Sequence, residues 1–240
     1  MTQLPELPIP PFPEAVEMVI SSRDVSGFHD VPASLNADLL DVEWQDRDCF
    51  VSMEGKRVVH WRPSESWAEF FIPEDRVASW GEYFRILIDR SQIEFVGGGT
   101  VHSSCVLVGN GACVFCGPSG VGKTTLWGFA DPSCRFDDEA SMLIPDPGGH
   151  WTSRGLHGTR SRIKALLFPR HAASPSLETS SCAAATYFLM SEKFTVLWHD
   201  RHPEEALRFC SELCESVPTY EFPFAKDASV LDWLHEKLQA

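Results

Sequence analysis

Gly117-Pro118-Ser119-Gly120-Val121-Gly122-Lys123-Thr124 is the stretch on which the reading of this 240-residue chain turns. It fits G-x-x-x-x-G-K-[ST] without deviation, and its flanks are those the pattern requires. The apolar run Ala112-Cys113-Val114-Phe115-Cys116 before it predicts a strand, and residues 124–130 after it predict a short helix. In such a loop, glycines let successive backbone N–H groups turn inward around phosphate oxygens, and the helix start adds a favourable dipole. Gly117, Pro118, Ser119, Gly120, Val121, Gly122, Lys123, Thr124 and Thr125 are therefore the expected nucleotide-binding residues. Lys123 should bridge the β- and γ-phosphates and the Thr124 hydroxyl should reach a magnesium ion, which makes ATP and Mg2+ the expected cofactors.

A phosphate loop of this kind needs an acidic partner for its metal. Arg135-Phe136-Asp137-Asp138-Glu139 begins 12 residues beyond Lys123, where a second strand would finish after a short helix. Paired carboxylates there can divide the work, one (Asp137) holding Mg2+ through water and the other taking a proton from an attacking hydroxyl. Upstream, residues 101–108 and 112–116 are apolar runs joined by Gly109-Asn110-Gly111, a turn signal that predicts an antiparallel hairpin entering the loop. The chain has no N-K-x-D and no L-S-G-G-Q, which argues against GTPases and ABC transporters.

Farther out, the pattern changes. Residues 1–13 hold five prolines and predict an extended arm. Residues 16–78 predict a small acidic β-meander, with strands at 48–53, 57–61 and 67–72, the first two joined by a Glu54-Gly55-Lys56 hairpin and the third stopped by Pro73. Most of the aromatics there, among Trp44, Trp61, Trp67, Phe70 and Phe71, are expected to form that module's own core. Residues 79–90 predict a helix. Beyond the loop, 163–168 predict a buried strand ended by Pro169, Pro203-Glu204-Glu205 opens a helix, 219–224 form a last strand, and Asp227 caps a final helix. The domain boundary is expected near residue 95, with a β-rich module at 1–95 and an α/β phosphate-loop domain at 96–240.

Charge narrows the function classes. The chain has 20 Lys+Arg against 34 Asp+Glu, a formal charge of −14, and 8 basic against 17 acidic residues fall within 1–90. No segment is basic enough to make nucleic acid the expected partner. Nothing approaches 18 uninterrupted apolar residues, so no membrane span is expected, and the proline-rich start lacks the basic region of a signal peptide. The expectation is a soluble, cytoplasmic protein. Of the eight cysteines only Cys113 and Cys116 form C-x-x-C, and residues three apart in a strand point to opposite faces, so packed thiols are expected rather than a metal site. One cationic stretch stands out. Between Asp146 and Glu178 there is no acidic residue, yet Arg154, Arg160, Arg162, Lys164 and Arg170 occur with His150, His157 and His171. It could meet a triphosphate or an anionic acceptor, or be an ordinary solvated flank.

Taken together, His102-Ser103-Ser104, the segment from Gly109 through Thr125, Phe136-Asp137-Asp138-Glu139, Leu156-His157-Gly158-Thr159 and Ile163-Lys164-Ala165-Leu166-Leu167-Phe168 resemble the kinase domain of HPr kinase/phosphorylase and its smaller relatives, some associated with peptide-modifying gene clusters. The resemblance covers about residues 95–230. It implies a phosphoenolpyruvate-carboxykinase-type α/β fold, His102 in the active site, Lys123 on the phosphates and Asp138 as general base. The family's acidic residue before an Arg-Gly is here Ser153, ahead of Arg154-Gly155, so that metal ligand does not carry over. The expected function is ATP-dependent phosphorylation of a hydroxyl, on a serine of a peptide or protein or on a small alcohol. The competing class is a nucleotide-binding regulatory or assembly module without transfer. Homo-oligomerisation is left open.

Overall fold

The structure is a computed structural model, and it describes residues 17–21, 40–45, 48–53, 56–62, 67–71, 93, 97–138, 140–154, 160–191 and 203–239. The proline arm, the expected hairpin turn at 54–55, the expected helix at 79–90, Glu139 and the Leu156-His157-Gly158-Thr159 segment lie outside the described residues. The chain divides into two compact units, Met1–Gln92 and Ile93–Ala240.

In the first unit, β1 (Glu17–Ser21), β2 (Leu40–Gln45), β3 (Asp48–Met53), β4 (Lys56–Arg62) and β5 (Trp67–Phe71) form one sheet in the order β1-β5-β4-β3-β2. Strands β2 to β5 make an antiparallel meander, and β1 joins β5 in parallel, Glu17 opposite Trp67. A parallel partner cannot arrive through a tight turn, so no hairpin signal announces it. The register aligns Cys49, Trp61 and Ala68 in one row and Val51, Val59 and Phe70 in another. All six are buried. Trp61 and Phe70 are thus core, each such side chain contributing about 1.5–3 kcal/mol by burial, whereas Trp67 and Phe71 are half-buried. The side chain of Trp44 lies outside the described residues. On the other face the His60 ring stacks on Phe50 at 4.5 Å, and its Nε2 hydrogen-bonds the Asp48 carboxylate at 2.8 Å.

The second unit is a mixed α/β fold around an eight-stranded sheet. Its elements are β6 (Gly99–Val108), β7 (Gly111–Cys116), α1 (Lys123–Phe129), β8 (Arg135–Asp137), β9 (Ala140–Pro145), β10 (Trp151–Arg154), β11 (Arg160–His171), β12 (Glu178–Thr179), α2 (Cys182–Ser191), α3 (Pro203–Ser216), β13 (Thr219–Phe224) and α4 (Val230–Gln239). The order is β10-β9-β6-β7-β11-β13-β12, with β8 also on β6 and β10 also on β11. β6 and β7 form the expected antiparallel hairpin, whereas β7, β11 and β13 run parallel. The hairpin turn is Gly109-Asn110. It is Gly109, at φ +66°, rather than Gly111 that takes the positive φ.

Alternation along these strands fills two faces. Val106, Phe115, Leu167 and Phe224 pack with Leu126 of α1 and Leu234 of α4 on one side. Cys105, Val114, Leu166 and Phe168 pack with Leu189 of α2 and Phe209 and Leu213 of α3 on the other. Cys113 and Cys116 fall into different clusters, as strand geometry requires. Ile163 and Ala165 also face opposite ways, because a β-bulge shifts the register between them.

Two expectations need correction. Pro169 does not end its strand: β11 continues to His171, with Pro169 opposite Phe222 of β13. The amides of Leu166 and Ala172 donate to the carbonyls of Pro218 and Phe224, so even-numbered amides face β13 and the missing amide of Pro169 faces the other side. There β7 has already ended at Cys116, and no ladder bond is lost. The second is the helix α2, which no periodic stripe in the sequence announces. Cys-Ala-Ala-Ala-Thr-Tyr-Phe-Leu-Met-Ser is apolar around most of its circumference and shows no stripe, although only Ala185, Thr186 and Leu189 are buried. No helix among the described residues is long and apolar enough to cross a membrane.

Candidate nucleotide site

The phosphate loop leaves the end of β7, one residue past Cys116, and Lys123 opens α1. Gly117, Gly120 and Gly122 take φ values of +150°, +89° and +107°, a region that glycine enters without cost. The three differ in what a Cβ would meet. At Gly122 it would stand 2.5 Å from Phe224 Cζ and 3.1 Å from His171 Cε1, so this glycine lets the loop settle on the sheet. At Gly120 it would meet nothing within 4 Å, which leaves the backbone bare toward open space. Pro118, Ser119, Gly120 and Thr124 are exposed, Val121 and Thr125 half-buried.

Lys123 is only 6 % exposed. Its ammonium donates to the carbonyls of Gly117 and, at 3.1 Å, Pro118. These bonds span the loop and hold the charge against it. Beneath, Ser104 Oγ donates to the Lys123 carbonyl at 2.9 Å, fixing the start of α1 to β6. At the far end of the helix, Arg135 donates to the carbonyls of Ala130 and Gly128 and lies over the Trp127 ring.

Strand β6 organises the rest. On one side it pairs with β7, Ser103 opposite Cys116 and Ser104 opposite Phe115, so His102 lies at the level of Gly117. On the other it pairs with β8 and then β9, Cys105 opposite Asp137 and His102 opposite Ala140. Asp138 therefore falls beside Ser104, at the same end of the sheet as the phosphate loop. Since adjacent strands are about 4.8 Å apart, the turn and the loop face each other across about 10 Å.

The two aspartates have different surroundings. Asp137 is 5 % exposed, and its Oδ1 accepts from the Ala140 amide at 3.0 Å, which shapes the turn. Asp138 is half-buried, and its Oδ1 is shielded from water with no hydrogen-bond partner among the described residues. Among the described residues no group of three or more His, Cys, Asp or Glu side chains could hold a metal ion. That donor set still suits magnesium, which keeps most of its water and commonly takes one or two protein oxygens beside those of a phosphate chain. Thr124 and Asp137 are the residues that would hold it.

The cationic stretch does not act as one patch. Arg154 and Arg160 face each other at one end of the β10–β11 pair, and Arg162 and Lys164 line a cleft discussed below. Arg170 pairs with Glu178 at 3.2 Å and Glu221 at 3.8 Å. Among the described residues of the stretch, His171 borders the Gly117–Thr124 loop, its ring 5.2 Å from that of Phe224. Sequence reasoning missed the contribution of Ser104, although the His-Ser-Ser string held it, and marked His171 only as one member of the cationic stretch. No protein-family profile matches the chain, and no curated protein matches it.

Proposed function

We propose that the second unit is a P-loop kinase domain of the HPr kinase type, transferring the γ-phosphoryl group of ATP to a hydroxyl of a peptide, protein or small alcohol. The observation that carries this reading is the register of β6, which brings His102, the Asp137-Asp138 turn and the Gly117–Thr124 loop to one end of the sheet. A nucleotide-binding module needs the loop alone. A carboxylate facing it across the width of a strand is what an acceptor hydroxyl needs.

In this reading the amides of Gly117 to Thr124 hold the phosphate chain, and Lys123 places its ammonium beside the group to be transferred. Asp138 accepts the proton of the attacking hydroxyl. Its Oδ1 has no hydrogen-bond partner among the described residues. Asp137 shapes the turn that presents Asp138, and Ser104 keeps α1 seated as the loop fills. His102, level with Gly117, lies beside the acceptor's path. Thr124 and Asp137 would hold magnesium, which would neutralise the phosphate charge.

Incubation of the protein with γ-labelled ATP and cell extract tests this. Label appearing in an acceptor, and absent with Lys123→Ala, is expected. ATP binding without any labelled acceptor would assign the chain to the regulatory class instead.

A further inference from the structure

At the end of the sheet remote from the phosphate loop lies a cleft of about 290 Å3. Four separated pieces of chain meet there: the β6–β7 turn at Asn110, the entry to β10 at His150, the bulged part of β11 at Arg162 and Lys164, and the chain after α3 at Val217. Asn110 precedes β7 and Gly117 follows it. Six strand residues at about 3.3 Å each separate the cleft from the phosphate loop by about 20 Å.

The two charged side chains that line this cleft, Arg162 and Lys164, are both cationic donors. Arg162 Nη2 donates to His150 Nδ1 at 3.0 Å. A guanidinium cannot accept, so Nδ1 carries the lone pair and the His150 proton sits on Nε2. Lys164 makes no ion pair among the described residues, and no carboxylate lines the cleft. This is notable in a chain of formal charge −14, where Arg170, only a few residues on, is flanked by two glutamates. Arg162, Ile163 and Lys164, at the bulged part of β11, all line the cleft. Gly111 completes the fit: a Cβ there would stand 3.0 Å from Lys164 Cβ and 3.2 Å from the Arg162 carbonyl.

We propose that this cleft is a binding site for a small phosphorylated molecule, distinct from the nucleotide site. Two cations with no carboxylate partner, a neutral imidazole N–H and the Asn110 amide make a donor set that matches a group offering acceptors only, as a phosphate dianion does. The volume lies at the small end of ligand pockets, suited to a phosphoryl group on a compact body rather than to a nucleoside triphosphate. Ile163 and Val217 give that body an apolar wall. The inference does not rest on the kinase reading, since neither the loop nor Asp138 takes part.

Calorimetric titration of the full chain with inorganic pyrophosphate tests it, using Lys123→Ala to weaken the phosphate loop. Binding of one pyrophosphate should persist in Lys123→Ala and weaken by about tenfold or more when Arg162→Gln and Lys164→Gln are added, as expected for loss of charge-assisted hydrogen bonds. Asn110→Asp, which keeps the turn chemistry and adds a negative charge at the mouth, should weaken it as well. A parallel titration with citrate distinguishes phosphate from general anion recognition, and should bind more weakly. Pyrophosphate binding that disappears in Lys123→Ala, or that survives unchanged in both the Arg162/Lys164 double variant and Asn110→Asp, overturns the proposal. So does citrate binding as tightly as pyrophosphate, in the phosphate-specific form stated here.

Discussion

The two ends of the eight-stranded sheet are built on opposite designs. At the end where β7 finishes, eight consecutive residues supply the cradle, and main-chain amides and glycine conformations define it. At the end where β7 begins, the cleft is lined by side chains from segments more than 100 residues apart, Asn110 and Val217 among them. A backbone cradle needs glycine at its positions of positive φ and needs its residues contiguous. A side-chain cleft needs only that strands and turns deliver the right heads to one place. The first therefore leaves a motif in the sequence and the second leaves none. Experiments that treat the two ends differently should separate these designs.

The largest effect is expected from Asp138→Asn. It should lower phosphoryl transfer by about 10²–10⁴-fold, the usual contribution of a positioned acid or base, while ATP affinity measured by equilibrium binding stays within about twofold. Transfer at wild-type rate would make the turn structural and leave only the loop's binding role.

Next is Lys123→Ala. Millimolar Mg-ATP should raise the melting temperature of the wild type, because a ligand at 100 times its Kd stabilises by about 2.7 kcal/mol. The variant should lose most of that rise. Chelating magnesium should reduce the rise in the wild type. No ATP-dependent shift in the wild type would count against the nucleotide site itself.

The glycines sharpen the contrast inside the loop. Gly122→Ala combines φ +107° with a Cβ 2.5 Å from Phe224 Cζ and should destabilise the unliganded protein by about 1–3 kcal/mol, read in denaturant unfolding. Gly120→Ala has φ +89° but open space, so its stability cost should be smaller, about 1 kcal/mol, while its effect on ATP affinity should exceed that on folding. The reverse order would mean that Gly120, not Gly122, carries the packing.

The smallest effects belong to the thiols. Six of the eight thiols are buried, and burial pushes Cys105 up to about 12 and Cys116 higher still. Only Cys134 and Cys182, half-buried, should react quickly with a thiol reagent in the native protein, and all eight after denaturation. Rapid native reaction of Cys116 would show the sheet opening beside the phosphate loop.

The sequence by itself determined the hairpin that enters the loop, the loop, the short helix after it and the carboxylate pair. These features are local: turn chemistry at Gly109-Asn110, glycines at fixed offsets, apolar runs of strand length. It also announced the N-terminal meander, whose strands follow one another through short connections. Only the tertiary structure decided which neighbour each strand takes. The parallel pairing of β1 with β5, the passage of β11 through Pro169, and the placing of Asp138 beside Ser104 all follow from registers between segments far apart in the chain. The cationic stretch makes the point most directly. Read in one dimension it is a single run of positive charge. In the fold, strand period, one bulge and two glutamates on β12 and β13 divide it into a neutralised arginine, a histidine beside the Gly117–Thr124 loop and an acid-free cleft at the other end of the sheet. Charge order along a chain is a property of sequence, but its distribution over a sheet depends on long-range pairing, which no local propensity encodes.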